Sequence, residues 1–336
     1  MKTNEATPFV QRSILSASAL RTQIISNYDL PDPVTCEFWN HSINDTYVIQ
    51  AEASKFFLRV APANWRCIEQ INAEIDLLQF LNGHNISVPQ PISTRNGDRI
   101  QTINAPEGDR YTVLFSSAPG TPVHEMTQSI SHQFGSAVAQ LHQVTNSYPQ
   151  TQPLPVYDLT EMLDRSLKLI EPLFTDQRND FEHLLHLSST LKQVTGRLPI
   201  ASSIFGICHG DLNASNFHEH DNGNWSLVDF EYTGYGWRIF DIATFFNTQL
   251  VDRSRTDQIK DVLDSFLAGY QEVRKLTSTE LEALPAFVIL RQIWLLGTSA
   301  RYIPKSTVGA EMHRQWIFQQ VMPFIRKWTD DPGQFE

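Results

Sequence analysis

The stretch of sequence that decides the fold is ICHGDLNASNFHEHDNGNWSLVDFEYTGYGWRIFDIATFF, at positions 207–246. Asp211 and Asn216 stand five positions apart in a polar loop after an apolar segment, and Asp229 ends a second apolar segment beyond turn-forming residues. The order is therefore loop, turn and strand. If the loop and the strand end lie side by side, an amide oxygen and one carboxylate can share a Mg²⁺ ion while the other carboxylate acts as a base.

Two motifs in this stretch resemble those of a known family. HGDLNASN, at 209–216, is similar to the H-G-D-x-x-x-x-N catalytic loop of the aminoglycoside phosphotransferase, choline kinase and homoserine kinase type II superfamily, and LVDFE, at 227–231, is similar to its metal-binding D-F-[DE]. GYGWRIFDIATFF, at 234–246, is most similar to the stress-response kinase and homoserine kinase branch. A polar hairpin whose Asp and Asn residues merely hold turns would leave the doubled motif unexplained.

The resemblance implies an α+β fold of the two-lobe, protein-kinase-like type, with ATP bound between the lobes. The N-terminal lobe, at 1–118, is expected to be a small antiparallel sheet with one helix, preceded by an N-terminal helix at 8–30. The C-terminal lobe, at 119–336, is expected to be mainly helical and to carry the catalytic loop. A length of 336 residues independently favours two lobes over one hydrophobic core.

Local patterns agree with this division. The segments TCEFW, TYVIQA and KFFLRV follow position 34 in close succession and indicate a meander of antiparallel strands. Apolar residues at helical spacing predict a helix within 63–85, with Gly83 as its stop. Beyond Pro122 the spacing of apolar residues is helical on both sides of the catalytic stretch.

The resemblance also implies roles for the central residues. Asp211 is the catalytic base that accepts or orients the proton of an acceptor hydroxyl, and Asn216 and Asp229 hold Mg²⁺ on the triphosphate of ATP. His209 supports the catalytic loop rather than transferring protons, and Asp241 holds this loop from below. Catalysis of this kind consists mostly of positioning and charge neutralisation.

The third predicted strand and the predicted helix each supply a charged residue. The family carries a Lys or Arg on this strand that binds the α- and β-phosphates of the nucleotide, and Arg59 stands at that place. A Glu of the helix orients it, which points to Glu74, with Glu69 as a competitor. The alternative interpretations without a binding role are that Arg59 lies on the solvated face of an edge strand and that Glu74 is an exposed helix residue.

Two further nucleotide contacts follow from position alone. Ser42 and Asn44 lie in the turn that covers the phosphates in the family, although no glycine stands there and a simple Asx turn at Asn44 explains the pattern equally well. Phe115 and Ser117 lie where the family hinges between its lobes and offers backbone groups to adenine.

The acceptor end of the cleft is built from the helical region in this family. The candidates here are Trp237, Arg238, Arg291, Trp294 and Arg301. Core packing explains the two tryptophans equally well.

The amino-acid composition limits the classes of molecule that the protein is expected to bind. The formal net charge is -11, the sequence pI is about 5.4 and no Lys/Arg-rich block is present, which disfavours nucleic-acid binding. An acidic balance suits a cationic substrate, but it is a more direct indicator of solubility than of the ligand that binds.

The three cysteines form no C-x-x-C pair and are interpreted as buried thiols in a reducing compartment. With no signal peptide and no apolar run near the length of a membrane span, we expect a soluble cytoplasmic protein.

The function predicted from these features is ATP-dependent transfer of the γ-phosphate to a hydroxyl of a small molecule, either an amino acid, an amino alcohol or an amino sugar. The first alternative is a bacterial Ser/Thr protein kinase of the stress-response type. Only 230–240 separate Asp229 from Asp241, which leaves little room for a peptide-docking groove. The second alternative, a weakly active nucleotide-binding module, is disfavoured because Asp211, Asn216 and Asp229 are all present.

Overall fold

The computed structural model describes residues 10–149, 153–251, 259–302 and 307–330. They divide into two compact units. The first contains the described parts of Met1–Gly120, Pro149–Pro153 and His220–Val228, and the second contains the described parts of Thr121–Tyr148, Leu154–Glu219 and Asp229–Glu336. The division differs from the predicted boundary at 118/119, because 220–228 lies with the first unit. There the Leu227 N–H donates to the carbonyl of Ser87, and the hydroxyls of Ser87 and Ser226 share a 2.8 Å hydrogen bond.

The first unit is built on a six-stranded antiparallel sheet. Its strands are β1 (Val34–His41), β2 (Asp45–Ala51), β3 (Ser54–Val60), β4 (Pro91–Ile92), β5 (Gln101–Ala105) and β6 (Gly108–Ser116). They pair in the order β1-β2-β3-β6-β4, and β5 also pairs with β6. Alternate residues of β2 are buried, since successive side chains of a strand point to opposite faces. The predicted meander of antiparallel strands is confirmed.

The N-terminal helix, α1 (Ala17–Gln23), is shorter than predicted. The prediction of a helix at 8–30 is wrong in extent, and its first two positions lie outside the described residues. Ser16 caps α1, and the described residues before it are not helical; there Ser13 donates from its N–H and its hydroxyl to the carboxylate of Glu107. A tertiary contact therefore outweighs the helical spacing of apolar residues.

The core of the first unit joins the N-terminal segment to the sheet. Its buried members are Leu20, Ile24, Ile25, Tyr28, Tyr47, Ile49, Leu58, Val60 and Leu114. The second helix of this unit, α2 (Ile68–Gly83), ends at the predicted residue and buries one charged side chain, Glu74, at 1% exposure. A buried carboxylate requires partners of opposite charge, which the site provides.

The second unit is mainly helical, as predicted. Its helices are α3 (Gln128–Val144), α4 (Arg165–Ile170), α5 (Arg178–Thr195), α6 (Ile239–Val251), α7 (Ile259–Val273), α8 (Ser278–Tyr302), α9 (Thr307–Trp316) and α10 (Met322–Asp330). Single π-helical turns precede α4 and α10.

Short strands of the second unit position the catalytic stretch. They are β7 (Thr121–Pro122), β8 (Val156–Tyr157), β9 (Phe205–Cys208), β10 (Phe217–Glu219) and β12 (Gly234–Trp237), whereas β11 (Trp225–Leu227) lies in the first unit. β12 pairs antiparallel with β9 and parallel with β8, and β10 pairs antiparallel with β7. The loop between β9 and β10 is thereby anchored at both ends.

Helix α8 is long and apolar enough to cross a membrane by length and composition alone. The sequence led us to expect no such segment. In the structure 72% of its most apolar window is buried inside the protein, as in the core helix of a globular protein, and the carbonyl of Pro285 accepts a hydrogen bond from the Trp328 indole at 3.0 Å.

The cysteines differ in exposure, contrary to the expectation of three buried thiols. Cys208 is buried in β9, Cys36 is half-buried and Cys67 is exposed. Cys67 immediately precedes α2, where its position at the helix end keeps it at the surface.

Helices α3 and α7 approach each other closely at two glycines. A Cβ at Gly135 would collide with the carbonyl of Phe266, and a Cβ at Gly269 would collide with the carbonyl of His132. The close approach also brings the Ser131 hydroxyl to the carbonyl of α7 at Val262, at 2.6 Å. This contact positions α3, which carries His142 into the catalytic site.

We therefore expect Gly269→Ala to destabilise the protein by about 1–3 kcal/mol, because backbone atoms of the facing helix must move to admit a methyl group. Thermal and urea unfolding followed by circular dichroism measure the change. Gly83→Ala is the matched control, since nothing lies within 4 Å of a Cβ there. Equal stability of the two variants would contradict the close packing of α3 against α7.

Candidate active site

The loop after β9 is held by one buried carboxylate. Oδ2 of Asp241 accepts from the N–H of His209 at 2.7 Å, and Oδ1 accepts from the N–H of Gly210 at 2.8 Å. Gly210 has φ = 84°, and a Cβ there would collide with the carbonyl of Tyr232, so that only glycine fits. Asp241 thus fixes the backbone that directly precedes Asp211.

The same carboxylate contacts His142 of α3 at 2.9 Å, and both side chains are fully buried. Burial alone would raise the pKa of Asp241, but the hydrogen bond from His142, together with the loop N–H groups, lowers it. Burial lowers the pKa of His142 to about 4. His142 is therefore neutral, donates from Nε2 to Asp241 and accepts at Nδ1 from the Tyr270 hydroxyl, at 2.8 Å.

The predicted base, Asp211, has different partners on its two oxygens. Oδ1 accepts from Nη2 of Arg291 at 2.7 Å. Oδ2 accepts from the side-chain amides of Asn213 and Asn216, each at the longer distance of 3.3 Å. The side chain of Asp211 is 22% exposed, so it remains accessible to a substrate.

Asn216 and Asp229 have the donor chemistry of a Mg²⁺ site. Nδ2 of Asn216 donates to the carbonyl of Asp211 at 2.9 Å, which leaves Oδ1 as the atom for a cation. Asp229 is exposed and has φ = 64°, a left-handed conformation in which Asp is tolerated better than most residues. Within the described ranges no three His, Cys, Asp or Glu side chains converge as a metal site. Two protein oxygens completed by phosphate and water nevertheless fit Mg²⁺.

His209 is fully buried inside the loop. Its Nδ1 accepts from the N–H of Asp211 at 3.3 Å, and its ring lies 4.5 Å from that of Phe230. An acceptor role at Nδ1 and complete burial both place this histidine in the support of the loop.

The first unit contains a compact charge cluster. Oε2 of Glu74 accepts from Nη2 of Arg59 at 2.7 Å and from Nη1 of Arg66 at 2.5 Å. Burial would raise the pKa of Glu74, but the two arginines lower it, so the carboxylate is ionised. The competing Glu69 is exposed. Arg66 was missed by the sequence reasoning; a basic residue just before the helix of Glu74 was the available signal.

The turn after β1 is held by the N-terminal segment. Nη2 of Arg12 donates to the carbonyls of Ser42 and Ile43 at 3.0 and 2.8 Å, and it also contacts Asp45 at 2.9 Å. Asn44 is 5% exposed. A cavity of about 10 Å³ is lined by Asn44, Arg59, Ala61, Arg66, Ile71, Tyr111 and Val113. Asn44 and the two arginines therefore share one space.

The hinge candidates lie at the end of β6. Phe115 pairs with Phe57 of β3 and with Pro91 of β4, and its ring lies 4.8 Å from the guanidinium of Arg59. The N–H of Ser117 donates to the carbonyl of Lys55 at 3.1 Å. This N–H is already bonded, and adenine binding by the hinge stays a prediction.

The acceptor-site candidates separate into two groups. Trp237 and Arg238 are 6% and 2% exposed; the Trp237 ring contacts Phe205, and Arg238 donates to Asn146 at 2.6 Å. Packing accounts for both residues, and their role in acceptor binding is only a prediction.

The other three candidates lie on α8. Arg291 contacts Asp211 directly, and its guanidinium lies 4.8 Å from the ring of Trp294. Arg301 is exposed near the end of the helix. The structure thus brings Arg291 to the catalytic loop, with Trp294 beside its guanidinium.

Comparison with known proteins decides the family. The model of the phosphotransferase enzyme family matches residues 35–276. The chain belongs to this family. It is therefore a phosphotransferase of the kinase type, and the family and the kinase-like fold predicted from the sequence are confirmed.

Several relatives and structural neighbours are kinases by name. Amicoumacin kinase of Bacillus subtilis is 24% identical over 80% of this chain and 80% of its own length, and a homoserine kinase of Azorhizobium caulinodans is 26% identical over 72% of each. A microcompartment-associated aminopropanol kinase superposes with a TM-score of 0.80 at 20% identity, covering 94% of this chain and 98% of its own. At this identity the structural likeness shows the fold alone.

The buried histidine makes the stability depend on pH. The unfolded chain takes up a proton at His142 below its ordinary pKa of 6.5, whereas the folded chain does so only near 4. Folding stability should therefore fall as the pH decreases through this window, by up to about 1.4 kcal/mol per pH unit from this group. His142→Gln should flatten that part of the curve, measured by urea unfolding at each pH.

The matched control for this experiment is His186→Gln, at an exposed position of α5, which should run parallel to the unsubstituted protein. An unchanged slope in His142→Gln would mean that the buried imidazole protonates normally.

Proposed function

We propose that this family member transfers the γ-phosphate of ATP to a hydroxyl group of a small molecule, which is an amino acid, an amino alcohol or an amino sugar. One observation carries the proposal: the carboxylate of Asp211 stands partly exposed on a loop that the buried Asp241 holds rigidly, with Asn216 bonded to it. The curated relatives named amicoumacin kinase and homoserine kinase support acceptors of this size.

The proposed reaction is a direct transfer of the phosphoryl group from ATP to the acceptor. The acceptor hydroxyl oxygen forms a bond to the γ-phosphorus, while the bond from that phosphorus to the bridging oxygen breaks and its electron pair leaves with ADP. The hydroxyl proton passes to Oδ2 of Asp211. Oδ1 of Asn216 and the carboxylate of Asp229 would hold Mg²⁺, which neutralises charge on the phosphates.

The charge cluster of the first unit suits a polyphosphate. Two guanidinium groups meet one carboxylate at Glu74, so the cluster of Arg59, Arg66 and Glu74 carries an excess of positive charge. Arginine holds phosphate oxygens through fixed, always charged donors. We propose that Arg59, oriented by Glu74, binds the nucleotide phosphates, with Asn44 and Ser42 in the neighbouring turn.

A small acceptor is favoured over a protein acceptor by the segment 230–240. In this segment all residues are buried except Tyr232 and Tyr235, which are half-buried. A protein kinase needs an accessible platform here for an extended peptide. A segment so enclosed supports a compact substrate.

We also propose a cytoplasmic location, because three free thiols suit a reducing compartment.

The proposal is tested with Mg·ATP and a panel of hydroxyl compounds containing L-homoserine, 1-amino-2-propanol, choline, spectinomycin and the generic protein substrate casein. We expect ADP release that depends on one of the small compounds and a phosphorylated product by mass spectrometry. Faster incorporation of phosphate into casein than into every small compound would favour a protein kinase. No acceptor-dependent turnover would contradict the proposal.

Substitutions separate the base from the cation ligands. Asp211→Ala should lower turnover by about 10³-fold while nucleotide affinity is retained, because the base contributes little to ground-state binding of ATP. Asp229→Ala should also weaken Mg²⁺-dependent nucleotide binding, measured by calorimetry. Near-normal turnover of Asp211→Ala, where chemistry limits the rate, would show that the base has been assigned wrongly.

A further inference from the structure

Arg291 is an enclosed cation whose charged partner, among the residues that the structure describes, is Asp211. Its side chain is 4% exposed, and Nη2 donates to Oδ1 of Asp211 at 2.7 Å. Its guanidinium lies 4.8 Å from the ring centre of Trp294 and 6.0 Å from that of Phe240. Nε and Nη1 are buried and have no hydrogen-bond partner within the described part of the chain. The arginine is therefore directed to the catalytic carboxylate and to aromatic faces.

Burying the guanidinium of Arg291 costs more free energy than a purely structural contact justifies. Removing a guanidinium from water is unfavourable, and each buried donor left without a hydrogen bond adds to that cost. The aromatic contacts offset only part of this cost. A hydrophobic side chain would fill the same space without the penalty. The burial of a charge at this position indicates that its effect on Asp211 matters.

The two oxygens of Asp211 are held unequally. Oδ1 has the short, charge-assisted contact to Arg291, whereas Oδ2 has two longer contacts, from the neutral amides of Asn213 and Asn216. A hydrogen bond of 3.3 Å is easily exchanged for a better one. The oxygen that an incoming hydroxyl can engage is therefore Oδ2.

We infer that Arg291 is a positioning residue, which holds Oδ1 of Asp211 so that Oδ2 faces the acceptor hydroxyl. The inference rests on the proposed function and assigns Arg291 to the base rather than to the acceptor. Arg291 lies on α8 and stands 80 positions later in the chain than Asp211. Its enclosed Nε and Nη1 have no surface from which to bind a substrate.

The test uses Arg291→Met and Arg291→Lys with the compound of the panel that turns over fastest. Arg291→Met should lower kcat by about 10- to 100-fold, because a misplaced base loses its alignment, and should leave both KM values within about twofold. Arg291→Lys should recover part of kcat, since a cation can still reach Oδ1. Arg165→Met is the control, because it removes an exposed arginine paired with Glu161 in the same unit.

A double-mutant cycle decides whether Arg291 acts through Asp211. In an Asp211→Asn background, Arg291→Met should cause no further loss of kcat, because the group it positions is gone. Additive losses would overturn the inference. So would an acceptor KM raised with kcat unchanged, which would make Arg291 an acceptor ligand. If Arg291→Met does not fold, the same cycle is measured with Arg291→Lys. Failure of the unsubstituted enzyme on every compound would instead contradict the proposed function.

Discussion

The hydrogen bonds to the buried carboxylate of Asp241 are the contact on which the catalytic unit depends. An ionised carboxylate in the interior is tolerated only when it is fully hydrogen-bonded. Here two consecutive N–H groups of the loop and the imidazole of His142 satisfy it. Asp241 comes from α6 and His142 from α3, so the place of Asp211 is set by helix packing. Loops alone cannot hold a catalytic group so rigidly.

The two units use buried carboxylates in opposite ways. Glu74 is outnumbered by Arg59 and Arg66, which makes its surroundings positive and suited to phosphate. In the second unit Asp241 accepts from the neutral His142 and from two loop N–H groups, whereas the enclosed guanidinium of Arg291 contacts Asp211. An excess of positive charge favours the binding of a polyanion. A carboxylate oxygen whose hydrogen bonds are easily replaced can accept a proton.

Two residues of the catalytic stretch have a backbone conformation with positive φ. Gly210 adopts φ = 84° at a place where a side chain would collide with the carbonyl of Tyr232. Asp229 adopts φ = 64° without being glycine, at a cost of about 1–3 kcal/mol. Such a conformation persists only where the surroundings impose it. Positive φ also occurs at Glu52, Asn64 and Asn85, so the conformation of Asp229 is one of several of this kind in the described chain.

The sequence by itself determined the family, the two-part α+β organisation and the strand meander, because each follows from local periodicity or from a motif. The resemblance to the family predicted the pair of Arg59 with Glu74, with Glu69 as a competitor, and the structure shows the pair with Glu74. It did not determine the length of α1, which a contact to Glu107 shortens. Only the tertiary structure placed Arg66 on Glu74 and Arg291 on Asp211. Arg66 stands only eight positions before Glu74, just ahead of the same helix, whereas Arg291 meets Asp211 across 80 positions of the chain. A periodic pattern carries no information about which residues far apart in the chain will meet.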